Sequence, residues 1–366
     1  MIYRAIGLMS GSSLDGLDIV FAEFQEQAGK WSYEIKNTAC YIYDEDWTAK
    51  LKDAIHLSAV DYQLLHAEYG HYIGQKVNDF IDDNQLHYQV ALIASHGHTT
   101  FHIPVKKMTA QLGDGAAIAS ETKLPVVTDL RAMDIAFGGQ GAPIVPIGEK
   151  LLLGEYEYFL NIGGIANISH NAPDKYVAFD ICPANRVLNM LANEAGKTYD
   201  DGGAMAETGT VDQSLLEKLN ALEYYKEPFP KSLANDFGTD IVYPIIKESG
   251  IALNDALRTF VEHIAVQVRD SISILDKQQA TTGNRKLLVS GGGAYNRFMI
   301  ERLKENLQKH HIEVMIADNN MIGYKEALIM AFMGVLRWRQ EYNVLSSVTG
   351  SSRDSIGGAL WTGEEA

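Results

Sequence analysis

GSSLDGLD, residues 11–18, joins two apolar, strand-like runs and constrains the fold more than any other segment of the chain. Glycines at 11 and 16 free backbone N–H groups at a chain reversal, and two carboxylates, Asp15 and Asp18, stand beside them. Three more glycine-rich segments border apolar runs: Gly138-Gly139-Gln140-Gly141, NIGGIAN at 161–167, and Gly291-Gly292-Gly293-Ala294. One glycine turn is weak evidence. Several, drawn from distant parts of the chain, point to a phosphate-bearing ligand gripped between two lobes. No G-x4-G-K-[ST] and no strand-linked G-x-G-x-x-G is present, which disfavours the two commonest nucleotide folds.

Composition narrows the classes. With 366 residues, 46% of them hydrophobic, the chain can build two domains with substantial cores. A net charge of −16 repels nucleic acid and anionic membrane, so the expected partner is a small molecule. Cys40 and Cys182 are the only cysteines and have no spacing suited to a disulfide framework or zinc site. Both are expected to stay reduced. The first residues enter a strand without a signal-like apolar run. The most apolar later stretch, 327–336, is too short to span a bilayer and is flanked by Lys325, Glu326 and Arg337. The expected location is cytoplasmic.

The spacing predicts strands over 3–8, 17–24 and 32–41, then a helix with Leu65, Tyr69, Tyr72, Ile73, Val77 and Phe80 on one face. Strands follow at 90–95, 108–112 and 124–128, with a helix at 113–122. A second series has three short strands (158–162, 166–170, 176–180) and helices at 184–195, 211–219 and 254–275, the last with Asn254 as N-cap. A strand at 286–290, a helix at 296–308, a strand at 313–316 and a helix at 324–339 complete it. Three strands, then alternating helices and strands, thus occur twice without a sequence repeat. The boundary is expected near 128–141, giving one lobe of residues 1–129 plus 342–366 and another of 130–341. A cleft between such lobes is a natural ligand site.

GLMSGSSLDGLD (7–18) resembles the N-terminal phosphate motif of the anhydro-N-acetylmuramic acid kinases, in the sugar-kinase, actin and heat-shock-chaperone ATPase superfamily. The likeness continues in order through SHGHTTFH (95–102), LGDGAAIA (112–119), VVTDLRAMDIAFGGQGAPIVP (126–146), LNIGGIANIS (160–169) and FDICPANRVLN (179–189). It ends with YDDGGAMAETG (199–209), SGGGAYN (290–296), KEALIMAF (325–332) and SVTGSSR (347–353). The resemblance implies an α/β fold: a two-lobed, actin-like ATPase of duplicated ribonuclease H-like domains with ATP in the cleft. It implies a kinase that opens 1,6-anhydro-N-acetylmuramic acid, a cell-wall recycling sugar, and phosphorylates it to the 6-phosphate.

It also assigns residues. Gly11, Ser12, Ser13, Leu14, Asp15, Gly16, Leu17 and Asp18 would face the ATP phosphates, with Gly163, Gly164 and Asn167 as the other phosphate clamp. Gly291, Gly292 and Gly293 would lie beside the adenosine. Asp15 and Asp18 would hold Mg2+, directly or through water; by spacing alone, Asx-turn chemistry explains them as well. Asp180, at the end of an apolar strand, suits a general base and matches the family's catalytic Asp; the structural alternative is a helix cap. His96, Asp114, Arg131, Asn185 and Glu326 would contact the sugar, Arg131 through its lactyl carboxylate. A salt bridge for Arg131, an N-cap for Asp114 and a solvated first helical turn for Glu326 are their structural alternatives. The His96, His98, His102 series is a weak metal candidate, lacking Cys or carboxylate at ligand spacing. Homodimerisation is left open.

The chain departs from the family pattern at Ile181 and Cys182 (Thr and Gly in the family), at Asn189 (Asp) and at His98 (Gln). These leave two alternatives: a kinase of another anhydro-sugar such as levoglucosan, or a degenerate sugar-binding sensor.

Overall fold

The computed structural model describes residues 1–11, 13–172, 175–229, 231–234, 236–278, 283 and 285–363. In chain order its strands are β1 (Ile2–Ser10), β2 (Gly16–Gln27), β3 (Lys30–Ile42), β4 (Leu92–Ile103), β5 (Met108–Leu112), β6 (Val126–Thr128), β7 (Tyr158–Ile162), β8 (Ile165–Asn171), β9 (Tyr176–Pro183), β10 (Lys286–Ser290), β11 (Glu313–Ile316) and β12 (Ala359–Trp361). They form a seven-stranded and a five-stranded sheet, one in each of two compact units.

The two sheets share one topology. In the first unit β1, β2 and β3 form an antiparallel meander, β4 lies parallel to β1 on its free side, and β6 lies parallel to β4. In the second unit β7, β8 and β9 form the meander, β10 lies parallel to β7, and β11 parallel to β10. The duplication expected from element order is therefore a duplication of strand order, as in ribonuclease H-like domains. The first sheet adds a hairpin partner, β5, and a C-terminal edge strand, β12, antiparallel to β6.

Amphipathic helices close each core. Helix Ala59–Asp83 starts at Ser58, whose side chain accepts from the Asp61 N–H, and buries Leu65, Tyr69, Ile73, Val77 and Phe80 against Ile6, Leu8, Ile19 and Ile93. Helix Leu253–Gln278 buries Leu257, Val261, Ile264, Val268, Ile272 and Leu275 in the second core. Asn254 is not its N-cap: it lies inside the first turn, and its side-chain amide donates to Thr208 Oγ1 at 2.8 Å.

The contacts divide the chain at 153/154 and 323/324 rather than at 129/130 and 341/342. Two sets of interactions draw the extra residues into the first unit. Asp134, fully buried, accepts from Gly141 N–H and from Thr349 Oγ1, which fastens the 138–141 turn to the returning C-terminal segment. Helix Pro146–Leu152 supplies Glu149 to an ion pair with Lys325 at 3.0 Å, both buried. Helix Asn319–Trp338 in turn presses on β1: a Cβ at Gly7 would stand 1.9 Å from Ala327 O and 2.8 Å from Ala331 Cβ. Because the first of these neighbours is main chain, Gly7→Ala is expected to destabilise the unit by about 1–3 kcal/mol or more, read as a lower urea midpoint. An unchanged midpoint would refute this packing.

Candidate functional site

In the second unit three segments meet around the ends of β7 and β10. The turn between β7 and β8 carries Gly163 and Gly164, whose carbonyls accept from the Asn185 and Ala184 N–H groups at 3.0 and 2.8 Å. Helix Asn185–Asn193 is thus started by the turn rather than by a side-chain cap, so the N-cap alternative for Asp180 does not hold. Asn185 also donates from Nδ2 to Ile162 O at 3.1 Å.

The glycines here fall into two kinds. Gly291, at φ +78°, would put a Cβ 2.6 Å from Asn161 Oδ1, and Gly293 would put one 2.3 Å from Ile162 Cγ2; the fold itself requires both. At Gly163, Gly164 and Gly292 the nearest atoms to such a Cβ lie 3.6–3.7 Å away, so local packing does not demand glycine there. Absence of a side chain at these three places leaves room for a ligand to approach the main chain closely, although the Gly163 N–H itself donates to Ile165 O at 3.2 Å.

Asp180 lies on β9 directly opposite Asn167 of β8. It is half-buried, and burial raises its carboxyl above the ordinary carboxylate range, against the opposing effect of a hydrogen bond from Leu233 N–H to Oδ2 at 2.9 Å. Among the described residues Oδ1 has no hydrogen-bond partner. The arrangement is a carboxylate anchored on one oxygen, with the other able to take a proton.

In the first unit the 11–18 turn is built on main-chain and local bonds. Leu14, at φ +60°, donates its N–H to Gly11 O, and Ser13 Oγ donates to Asp15 Oδ1 at 2.7 Å, the local Asx-type bonding that spacing alone allowed. Ser12 lies outside the described residues. Leu14 and Leu17 send their side chains into or against the core, leaving only their main chain for a ligand. Gly16 is a packing glycine, with Cys40 Sγ and Tyr41 O at 2.7 and 2.8 Å from a built Cβ. Asp18 pairs across the sheet with Met9 and Cys40. Burial, with the neighbouring Asp15 and Glu326 charges, lifts its carboxyl to about 6, partly offset by a Cys40 thiol hydrogen bond.

Glu326, placed by sequence in a first helical turn, stands instead in the body of helix Asn319–Trp338, exposed, where its charge bears on both Asp18 and Arg131. Arg131 is held at two points, donating from Nε to His96 Nε2 at 2.8 Å and from Nη1 to Gly141 O at 2.6 Å. His96 completes the chain by donating from Nδ1 to Gly97 O, so both ring nitrogens are engaged. It has no ring nitrogen left for a sugar; it positions Arg131. His98 bonds Ser10 Oγ at 3.1 Å, and Tyr43 donates to the same oxygen. Asp114 caps helix Gly115–Thr122 through Oδ1, with Oδ2 3.8 Å from His66 Nε2. Among the described residues no group of three His, Cys, Asp or Glu is placed to hold a metal ion.

The anhydro-N-acetylmuramic acid kinase family model matches residues 3–363. The chain belongs to that family. It is 32% identical to the anhydro-N-acetylmuramic acid kinase of Photobacterium profundum, over 98% of this chain and 99% of the relative. It is 33% identical to that of Zymomonas mobilis, over 83% and 85%. With Hydrogenovibrio crunogenus the identity is 30%, over 97% of each chain. Kinase membership favours the enzyme over both the sensor and the other-sugar alternatives. Residues given no role by the sequence also emerge: Tyr224, Lys231 and Leu233 surround Asp180, and Asp134 with Thr349, each inside a family-like motif, secures the turn that Arg131 grips. Nothing in the sequence EYYKEPFPKSL (223–233) marks it as a neighbour of β9.

His96 supplies a pH prediction. Burial, with the adjacent Arg131 charge, lowers its imidazole from the ordinary 6.5 to about 3. The unfolded chain takes up a proton at His96 below 6.5 that the folded chain refuses, so this group removes stability as pH falls from 6.5 towards 3. Nitrogen NMR is expected to show a neutral Nδ1–H tautomer throughout pH 5–9. Titration of His96 above pH 5 would contradict the assigned hydrogen bonds.

Proposed function

We propose that the protein opens the 1,6-anhydro ring of anhydro-N-acetylmuramic acid with water and transfers the γ-phosphoryl group of ATP to the released 6-oxygen. The anchored Asp180 carboxylate carries this assignment. Asp180 takes a proton from a water attacking the anomeric carbon; the bond from that carbon to the bridging 6-oxygen breaks; the 6-oxygen attacks the γ-phosphorus and ADP leaves. The products are N-acetylmuramic acid 6-phosphate, ADP and one proton. The named relatives and the polar chemistry of the two units support this over sugar binding alone, and it places the protein in cell-wall recycling.

The roles divide by chemistry. Main-chain N–H groups at Gly164 and Gly292 suit phosphate and ribose oxygens, and Gly163 leaves the ligand room beside them, since a Cβ at any of the three would intrude on the ligand but not on the protein. Gly11, Ser13 and the main chain of the 13–18 turn offer a second set. Arg131, with two of its nitrogens fixed, presents Nη2 to the lactyl carboxylate. Asp114 Oδ2, Asn185 and Glu326 are assigned to sugar hydroxyl and amide groups. Asp15 and Asp18, whose proximity adds to the effect of burial in raising the Asp18 carboxyl, are two carboxylates that would hold Mg2+ directly or through water, with water and ATP phosphate completing its shell. Bound there, it would neutralise phosphate charge during transfer.

Two variants test the assignment. Gly292→Val is expected to melt like the parent and bind ATP more weakly by calorimetry; unchanged affinity would displace the nucleotide from this turn. Asp180→Asn keeps shape and the Leu233 bond but removes the proton acceptor. It should retain ATP binding while turnover falls about 100- to 10,000-fold, with little change in KM. Turnover within a few-fold of the parent would assign the base elsewhere.

A further inference from the structure

β9 is the edge strand of the second sheet, so part of its main chain has no neighbouring strand to pair with. At Asp180 those groups are met by the 3-10 helix Glu223–Lys226 and by the chain at Lys231 and Leu233. Asp180 N–H donates to Lys231 O at 3.1 Å, and Asp180 O accepts from the Tyr224 hydroxyl at 2.7 Å. Leu233 N–H, two residues beyond Lys231, donates to Asp180 Oδ2 at 2.9 Å. The holders are themselves joined: Lys231 Nζ donates to Tyr224 O at 2.9 Å and sits 4.4 Å from the centre of the Tyr224 ring. Tyr224 is buried, with Phe237 5.5 Å from its ring. Phe229 stacks on Phe179, the residue before Asp180, at 5.1 Å and 5°.

We propose that Tyr224 and Lys231 are positioning residues for the base: they fix the main chain of Asp180 and, through Leu233, select Oδ1 as the proton-accepting oxygen. The proposal rests on Asp180 being that base. Simple protection of a sheet edge would need the two main-chain bonds only. The third bond, to the carboxylate itself, lies on the same short segment and couples its placement to the orientation of the reacting group. A donor fixed on Oδ2 stops rotation of the carboxylate and keeps Oδ1 aimed at one place, the kind of orientation on which proton transfer from a bound water depends.

Tyr224→Phe removes one hydroxyl and keeps the ring under Lys231. Loss of one such hydrogen bond should lower kcat about tenfold, while KM for sugar and for ATP stays within about twofold. The decisive measurement repeats the substitution in the Asp180→Asn background, with product formation followed in single turnover at high enzyme concentration. If Tyr224 acts through the base, the second substitution adds less than about twofold there. A tenfold loss in both backgrounds, or a kcat for Tyr224→Phe within about twofold of the parent, overturns the proposal. Should Tyr224→Phe fail to fold, Lys231→Met, which leaves the hydroxyl in place, must show the same split and the same dependence on Asp180. Asp180→Asn alone separates the two levels: if it retains turnover, the base assignment falls and the holder with it. If it loses turnover while both holder variants match the parent, only the holder falls.

Discussion

The base proposed at Asp180 must be anchored and left open at once, and burial makes that hard. Desolvation raises the Asp180 carboxyl, which strengthens it as a base but weakens its hold on charge. A single N–H, from Leu233, supplies the opposing effect and leaves one oxygen free. More donors would lower the carboxyl towards its ordinary range and cost basicity; none would leave it free to rotate. The edge of β9 satisfies both demands because Tyr224 and residues 231–233, rather than another strand, meet it. A regular sixth strand would have spent its N–H groups on the β9 main chain and left none for the carboxylate.

The same logic sorts the glycines. Gly7, Gly16, Gly291 and Gly293 are glycines because neighbouring atoms leave no room for a Cβ. Gly163, Gly164 and Gly292 have that room and are still glycine. Packing explains only the first group; the proposed nucleotide contact would account for the second. A motif such as SGGGAYN therefore mixes glycines that packing demands with one that it does not, and composition alone treats them as equivalent.

Periodic packing was the legible part of the chain. The strands at 3–8, 158–162 and 286–290 and the helices on Leu65–Phe80 and Leu257–Leu275 spacing follow from apolar repeat, which depends on residues close in sequence. The repeated strand order was legible only as element order. The unit boundary was not, since Asp134 with Thr349 and Glu149 with Lys325 join positions more than 170 residues apart. Nor were the partners of His96: the family resemblance implied a sugar contact, whereas Gly97 O and Arg131 use both nitrogens. Asp180 stood out by its strand-end context and motif. Its holders did not, because 223–233 has neither helical nor strand period and its contacts cross more than 40 residues.

The charged groups of the first unit follow a different design from Asp180. Arg131 is half-buried and its guanidinium is lowered by desolvation, an effect that Glu326 opposes. Glu326 simultaneously raises Asp18. One exposed carboxylate thus favours charge on a buried cation and disfavours it on a buried anion. The anion proposed beside Arg131 and the cation proposed beside Asp18 would each offset the cost that burial places on those charges. His96 must stay neutral for this to work: a protonated imidazole would place a second cation 2.8 Å from Arg131 Nε and remove the acceptor that aims it. Its depressed basicity is therefore part of how Arg131 is kept both charged and directed, and not merely a consequence of burial.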